Sequence, residues 1–229
     1  MCVRYTLHKS DAALAVIAKA LGKHLASPIW YSPKFNATLT NVMPVVTAGP
    51  EIRGMVWGLV PFYERKKAEK RMLPNAKAET AAKSTAFRSA VAKRRCLVPA
   101  NGFYEWQTAG KLKLPHLFTL ADEEPFAFAG IWEPAEEGLP ETFGILTTEP
   151  NELVAPIHDR MPVLLTRETM PRWLGSEPLA EAEYLALTRP LPADRMRARP
   201  VNRFVNNSRN EGPQCIAPPE EAEPELALD

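Results

Sequence analysis

Residues 95–106 have the sequence RCLVPANGFYEW, and this segment decides the fold class. Two short apolar stretches, 96–99 and 103–107, lie on either side of the turn residues Asn101 and Gly102. Each is too short for a typical helix and is rich in β-branched or aromatic side chains, so both are predicted to be strands. Comparable stretches follow at 117–120, 126–132 and 143–147. The middle of the chain is therefore predicted to be rich in β-structure.

The flanking regions carry a mixture of helical and strand patterns. The predicted elements are helices at 10–24, 79–94, 152–158, 166–175 and 179–188, strands at 42–47, 55–60 and 161–165, loops at 29–41 and 62–78, and a basic loop with a last strand at 200–217. Strands in runs, with helices near the ends and no regular βαβ alternation, predict an α+β fold. We expect a mainly antiparallel, barrel-like β core with peripheral helices.

Length and composition limit the functional classes. The chain has 229 residues, of which 45% are hydrophobic and 24% charged, as in ordinary globular proteins. No run approaches the roughly 20 apolar residues of a membrane-spanning helix, so no membrane association is expected. The cysteines are too few for a disulfide framework and form no C-x-x-C pair, which predicts a cytoplasmic protein without a metal site. They are Cys2, Cys96 and Cys215.

The net charge of +1 conceals a division between the two halves of the chain. Residues 1–120 hold 19 Lys and Arg against 6 Asp and Glu, a net charge of +13. Residues 121–229 hold 9 against 21, a net charge of −12. The division indicates either a face that binds a polyanion or two halves that attract each other within one fold. Part of the negative charge lies in residues 218–229, which are predicted to form a disordered acidic tail.

The N-terminal Met1-Cys2 pair is a candidate reactive group. Removal of Met1 would leave Cys2 with a free α-amine, whose pKa is about 7.7–8.0, beside a thiol whose pKa is about 8.5. Such an aminothiol reacts with an aldehyde: the amine forms a Schiff base and the thiol closes a five-membered thiazolidine ring. The alternative is that the cysteine is an incidental second residue.

A single carboxyl group interrupts the aromatic stretch at Tyr104-Glu105-Trp106. If Glu105 is buried among these side chains, its pKa rises and it can carry protons near neutral pH. If the strand simply alternates, Tyr104 and Trp106 face one side and Glu105 faces water. The residues alone leave both possibilities open.

Three further segments carry candidate functional side chains. His158 precedes Asp159 and Arg160, so it is either a proton donor beside a phosphate-binding arginine or a structural histidine. Asn75 either orients a substrate or belongs to an ordinary loop that leads into a helix. Trp57 either stacks on an exposed base or belongs to the core.

Taken together, these segments resemble the SOS response-associated peptidase (SRAP) family, whose members form crosslinks at abasic sites in DNA. The resemblance extends over residues 1–217, which we expect to form a single domain. It rests on the order and spacing of the following motifs: Met1-Cys2-x-Arg4-Tyr5, Trp57-Gly58-Leu59-Val60-Pro61, Asn75-Ala76-Lys77-Ala78-Glu79-Thr80, Phe87-Arg88-x-Ala90, residues 95–106, Phe128-Ala129-Gly130-Ile131-Trp132, Ile145-Leu146-Thr147-Thr148, Ile157-His158-Asp159-Arg160-Met161-Pro162, and a loop containing Asn207.

The resemblance implies specific roles for several residues. After removal of Met1, Cys2 would attack the ring-opened aldehyde of an abasic site in single-stranded DNA. Asn75 would hold the cysteine and the sugar, Glu105 would move protons, and His158 would act at the sugar oxygen. The implied DNA contacts are Arg4, Lys77, Arg88, Thr147 and Arg160. No cofactor is implied, and we expect a cytoplasmic monomer that associates with the nucleoid when bound to DNA.

Two alternative functions remain open at this stage. In a cysteine-dependent peptidase, autopeptidase or other N-terminal-nucleophile hydrolase, Cys2 would cleave an amide with help from Glu105 and His158. In a non-enzymatic module, the chain would bind intact single strands in a salt-sensitive manner without using the thiol. The sequence also departs from the family pattern at Val3, Lys77 and Thr38, which concerns the DNA contacts more than the chemistry.

Overall fold

The computed structural model describes residues 3–25, 28–67, 69–136 and 138–220. The strands are β1 (Arg4–Leu7), β2 (Lys34–Thr38), β3 (Val42–Val46), β4 (Ile52–Trp57), β5 (Asn75–Lys77), β6 (Arg95–Ala100), β7 (Gly102–Ala109), β8 (Leu112–Leu120), β9 (Phe126–Glu133), β10 (Thr142–Thr148), β11 (Met161–Pro162), β12 (Leu164–Leu165) and β13 (Met196–Pro200). The α-helices are α1 (Ser10–Leu21), α2 (Ala78–Ala81), α3 (Arg88–Lys93), α4 (Met170–Leu174) and α5 (Glu181–Leu187).

Five strands close into a barrel. Their order is β4, β3, β6, β9 and β10, and β10 pairs again with β4 to complete the ring. The β10–β4 pairing is parallel, whereas the other pairings in the ring are antiparallel. Strands β5, β11 and β12 extend the sheet at its margins. The predicted α+β fold with a mainly antiparallel, barrel-like core is confirmed.

A second sheet packs against the barrel. Its order is β13, β8, β7, β1 and β2, and every pairing is antiparallel. Side chains alternate between the two faces of each strand. Phe103 and Phe118, which are register partners, stack with ring centroids 4.9 Å apart and lie in the main core. Tyr104 and Leu117 lie on the opposite face, where residues 201–216 cover them.

An aromatic cluster joins the sheet to the barrel. The ring of Tyr5 in β1 lies 5.1 Å from that of Trp57 in β4 and 5.5 Å from that of Phe128 in β9, both with edge-on geometry. The three side chains are fully buried. Edge-to-face contacts of this kind stabilise a core beyond the area that they bury. Trp57 therefore belongs to the core, and the alternative that it stacks on an exposed base is wrong.

The helices cover the outside of the barrel. Leu14 and Ile17 of α1 and Trp173 of α4 pack on apolar side chains of the barrel strands. Helix α1 ends at Leu21 and is capped by Gly22, whose φ of 61° is the left-handed conformation that glycine adopts without strain. Strand β6 is consequently buried on both faces, which explains why its sequence is apolar without alternation.

Several predicted element boundaries were wrong. The predicted loop at 29–41 contains β2, and the predicted loop at 62–78 ends in β5, because each short segment pairs with a strand distant in sequence. The predicted helix 79–94 divides into α2 and α3 around Ser84, whose hydroxyl accepts a hydrogen bond from the Ala86 N–H and so competes with the helical pattern. The predicted last strand within 200–217 is replaced by two 3-10 helices, Arg203–Asn206 and Pro213–Ile216.

Two sequence predictions concern residues outside the described ranges. Cys2 is one of them, and most of the predicted disordered tail, residues 221–229, is the other. Within the described part of the chain, no helix is long and apolar enough to cross a membrane.

The close packing of β6 against β9 yields a test of the fold. A Cβ atom on Gly130 would lie 2.7 Å from Cys96 Sγ and 2.8 Å from Val98 Cγ2, which is closer than carbon contacts allow. We expect Gly130→Ala to lower the free energy of unfolding by about 1–3 kcal/mol, as overpacked cores do. Gly49→Ala is the control, because its Cβ would meet only Thr47 Oγ1 at 3.6 Å. Urea unfolding measures both, and equal stabilities would contradict the packing.

Candidate active site

Glu105 is a carboxyl group on the buried face of β7. It shares that face with Phe103, two residues earlier, whereas Tyr104 and Trp106 point to the other side of the sheet. The residue is only 2% exposed. The alternation of the strand therefore directs the carboxyl group towards the core rather than towards water, which is the first of the two possibilities left open by the sequence.

Burial changes the acid strength of this group. Desolvation is the main reason that the pKa of Glu105 is raised, to about 7, and the nearby Asp159 carboxylate acts in the same direction. The Oε1 atom is buried and has no hydrogen-bond partner among the described residues. A carboxyl group in this state holds its proton at slightly acidic pH and releases it just above neutrality. It is suited to general acid and base catalysis.

His158 lies beside Glu105. Its Nε2 atom is 3.8 Å from Glu105 Oε2, and its side chain is 24% exposed, so one edge of the ring remains accessible. The Arg160 backbone N–H donates to Nδ1 at 3.0 Å. Nδ1 also lies 3.1 Å from Asp159 Oδ1 and 3.2 Å from Arg160 O. These contacts hold the ring with Nε2 towards Glu105. Burial is the main reason that the pKa of His158 is lowered, which favours the neutral ring.

A hydrogen-bonded turn carries His158 to this position. The Asn151 side-chain oxygen accepts from the backbone N–H of Leu153 at 3.2 Å and of Val154 at 3.0 Å. The Asn151 amide in turn donates to Leu191 O at 2.7 Å, which anchors the turn to the body of the protein. Asn151 thus caps the segment, but residues 152–157 form consecutive turns where a helix was predicted at 152–158.

The carboxyl end of β10 collects several other predicted residues. Asn75 and Lys77 of β5 are in parallel register with Ile145 and Thr147 of β10. Asn75 and Thr147 are buried, whereas Lys77 is exposed. The Thr147 hydroxyl has no hydrogen-bond partner within the described ranges. On the other edge of β10, Thr147 pairs with Pro162 of β11. Because Pro162 is two residues after Arg160, this pairing brings Arg160 close to Thr147.

Both terminal nitrogens of the Arg160 guanidinium donate hydrogen bonds to other protein groups. Nη1 and Nη2 donate to the two carboxylate oxygens of Glu79, each at 2.8 Å, and Nη2 also donates to Thr147 O at 2.7 Å. Partial burial raises the pKa of Glu79, but the hydrogen bonds and charge of Arg160, with local contacts, outweigh it and lower the pKa overall. The arginine predicted to contact phosphate is therefore already paired with a carboxylate.

Arg4 and Arg88 occupy other surroundings. The Arg4 guanidinium donates to Asn36 Oδ1 at 2.8 Å and to Val205 O at 2.9 Å, and it lies 5.6 Å from the centre of the Trp106 ring. It ties β1 to β2 and to the C-terminal segment. Arg88 is exposed at the start of α3 and lines a cleft of about 780 Å³. Phe62 and Lys66 line the same cleft.

The start of the described chain leads to Glu105. Strand β1 pairs with β7 so that Tyr5 lies opposite Phe103 and Thr6 lies opposite Gly102. The direction of this antiparallel pairing leads from Tyr5 through Arg4 towards the Glu105 end of β7. Cys2 itself is outside the described residues, and its predicted role stays a prediction.

Sequence reasoning missed several neighbours of the site. Glu79 begins the predicted helix 79–94, but nothing in the sequence indicates that its carboxylate pairs with Arg160. His116 lies directly opposite Glu105 on β8, where the period of two could have identified it. Phe62 and Tyr63 are exposed and pack edge to face at 5.5 Å beside the basic segment 65–71. Among the described residues, no three His, Cys, Asp or Glu side chains are grouped so as to hold a metal ion.

Comparison with known proteins follows the same segments. A family model described as SOS response associated peptidase (SRAP) matches residues 1–208. The abasic site processing protein YoqW of Bacillus subtilis (strain 168) is 38% identical over 194 residues, which cover 81% of this chain and 86% of YoqW. The abasic site processing protein YedK of Escherichia coli (strain K12) is 34% identical over 165 residues, covering 71% of this chain and 72% of YedK.

A solved structure shares the fold. The crystal structure of a protein from Bacteroides thetaiotaomicron superimposes with a TM-score of 0.82 and 30% sequence identity, covering 95% of this chain and 99% of that one. The match of the family model over most of the chain and the identity to YoqW lead to one conclusion. The chain belongs to the SOS response associated peptidase (SRAP) family.

Proposed function

We propose that this protein forms a covalent thiazolidine crosslink between Cys2, exposed by removal of Met1, and the aldehyde of an abasic site in single-stranded DNA. The observation that carries the proposal is the buried Glu105 carboxyl group, whose pKa is raised to about 7, with His158 Nε2 3.8 Å away. The names of the relatives YoqW and YedK, which describe abasic site processing, support the same substrate.

The reaction requires no external oxidant or reductant. The neutral α-amine of Cys2 adds to C1′ of the ring-opened sugar, and the carbinolamine hydroxyl leaves as water to give a Schiff base. The thiol sulfur then bonds to the same carbon while the thiol proton passes to the nitrogen, which closes the ring. Ring closure is intramolecular and gains the corresponding proximity advantage. One water molecule is released, and the product shields the lesion from cleavage.

The described side chains match the proton transfers that this sequence needs. Glu105 donates a proton to the departing hydroxyl and can recover one from the thiol, because its pKa lies near the working pH. His158, whose ring is partly exposed, assists as an acid or base at the sugar oxygen. Asn75 orients the N-terminal cysteine and the sugar. Cys2 is bonded to Val3, the first described residue, in the part of the chain that the β1–β7 pairing directs towards Glu105.

The DNA strand would be held through its phosphates. Lys77 and Arg88 are exposed cations and are assigned the first phosphate contacts, which position a strand without reading its sequence. Arg160 and Thr147 lie beside Lys77, and Arg4 lies beside Trp106; we assign them further contacts to the strand, although both arginines also make internal hydrogen bonds. The exposed rings of Phe62 and Tyr63 offer faces on which unpaired bases can stack. A monomer suffices for all of these contacts.

The central prediction concerns the covalent bond. An oligonucleotide with one abasic site should give a band that survives denaturation with the wild-type protein. Cys2→Ser keeps the α-amine but has a weaker ring-closing nucleophile, so its adduct should persist only after reduction with borohydride. Cys2→Ala should behave in the same way. Denaturing gel electrophoresis with intact-mass analysis of Met1 removal measures the outcome.

Four results would contradict the proposal. No band with the wild-type protein, or an equal unreduced band with Cys2→Ala, excludes the thiazolidine. Peptide turnover that requires Cys2, without a DNA adduct, points to a peptidase. Salt-sensitive binding of intact strands that is indifferent to Cys2→Ala, again without a DNA adduct, points to a simple binding module. A shortened DNA product on the same gel would report a lyase side reaction.

The acid strength of Glu105 predicts a pH dependence. The carboxyl group is protonated below a pH of about 7 and loses its proton above it. Because Glu105 ionises at a lower pH than the α-amine, whose pKa is about 7.7–8.0, the crosslinking rate should rise to a maximum between the two pKa values and fall at higher pH. Glu105→Gln should slow the reaction by about 10²-fold or more and remove the inflection near neutrality. Single-turnover rates between pH 5.5 and 9 measure both effects.

Glu152→Gln is the matched control for this profile. Glu152 is exposed and lies on the turn that carries His158. Its substitution should leave the rate and the inflection unchanged. An unaltered inflection in Glu105→Gln would show that another group carries the proton.

A further inference from the structure

The guanidinium of Arg160 connects three parts of the site. It spans Glu79 in α2, Thr147 in β10 and the segment that leads into β11, with all three donor distances between 2.7 and 2.8 Å. The Arg160 side chain is only 15% exposed, whereas that of Glu79 is 47% exposed. Arg160 is therefore held in one orientation by an ion pair at the edge of the site.

The same residue holds His158 through its backbone. The Arg160 N–H donates to His158 Nδ1 at 3.0 Å, and the opposite ring nitrogen faces Glu105. Fixing the side chain of Arg160 at two points limits the freedom of its backbone N–H. The orientation of the imidazole thus depends on a chain of contacts that begins at Glu79. Such outer contacts commonly orient catalytic side chains.

We propose that Glu79 is a positioning residue of this site, which acts through Arg160 to keep His158 aligned with Glu105. The inference rests on the proposed function and adds a residue to it. Glu79 touches none of the reacting atoms. Its effect is on the rate of the chemical step and not on the binding of the DNA strand.

A competing role for Glu79 makes a different prediction. The carboxylate could occupy a phosphate site and leave when DNA binds, since carboxylate and phosphate fit the same arginine fork. The geometry favours positioning, because Nη2 is shared with Thr147 O and Nε is buried without an acceptor in the described ranges. No free pair of donors is left at Arg160 for a second bidentate anion.

The test separates rate from binding. Glu79→Gln keeps the shape of the side chain but loses its charge. At saturating abasic single-stranded DNA, we expect the crosslinking rate to fall by about tenfold, as outer-contact substitutions often do. The DNA concentration for half-saturation should change by less than about twofold. Arg160→Lys, which keeps the charge but loses the two-pronged geometry, should lower the rate in the same way.

Glu181→Gln is the matched control. Glu181 also forms an ion pair at the surface, 3.1 Å from Lys83, and both partners are largely exposed. It should leave both quantities unchanged. Equal losses in the two variants, or a loss explained by a lower melting temperature, would overturn the positioning role. A lower DNA concentration for half-saturation in Glu79→Gln would identify Glu79 as a phosphate competitor. In that case the logarithmic salt dependence of intact-strand binding should also be steeper by about one unit.

A second measurement does not depend on crosslinking. The ring signals of His158 in the free protein, assigned with a His158→Gln variant, should shift in Glu79→Gln and stay in place in Glu181→Gln. Unshifted signals would overturn the inference. If the wild-type protein makes no adduct while these signals shift, the proposed function fails and the positioning contact stands.

Discussion

The register of β7 is the constraint on which the site depends. Its pairing with β1 and β8 assigns Phe103 and Glu105 to one face and Tyr104 and Trp106 to the other, and a slip of one residue would exchange them. The stacked rings of Phe103 and Phe118 make that slip costly, because it would remove Phe103 from the main core and leave Phe118 without its stacking partner. An apolar contact in the core thereby keeps an ionisable group out of water. The packing of the core therefore keeps Glu105 buried, and this burial raises the pKa of its carboxyl group to about 7.

The cations of the positively charged first half fall into two groups, those paired inside the fold and those left exposed. Part of the positive first half is used inside the fold: Arg65 and Arg94 both pair with the buried Glu133, and Arg95 donates to backbone carbonyls such as Trp173 O and Glu177 O. Other cations, including Lys77 and Arg88, stay exposed. Attraction between the halves and a surface available to a polyanion therefore coexist. The net charge of a segment does not show which of its cations remain free.

The sequence was sufficient for those parts of the fold that depend on local patterns. Apolar alternation located most central strands, and helical spacing located α1, although its end fell at Leu21 and not near His24. The sequence was insufficient for β2 and β5, which are short and are strands only because of their distant partners. In the site, the motifs indicated Glu105 and His158, but they could not show the Glu79–Arg160 pair, whose members are 81 positions apart.

The fold shields the thiols of the two internal cysteines from reaction. Cys96 and Cys215 are buried, and desolvation raises the pKa of both thiols, that of Cys215 to about 11. Since the thiolate is the reactive form, neither one competes for an electrophile while the protein is folded. Unfolding would expose them to oxidation and alkylation. The folded protein therefore shields both thiols from soft electrophiles and oxidants, and their modification would report the loss of the fold.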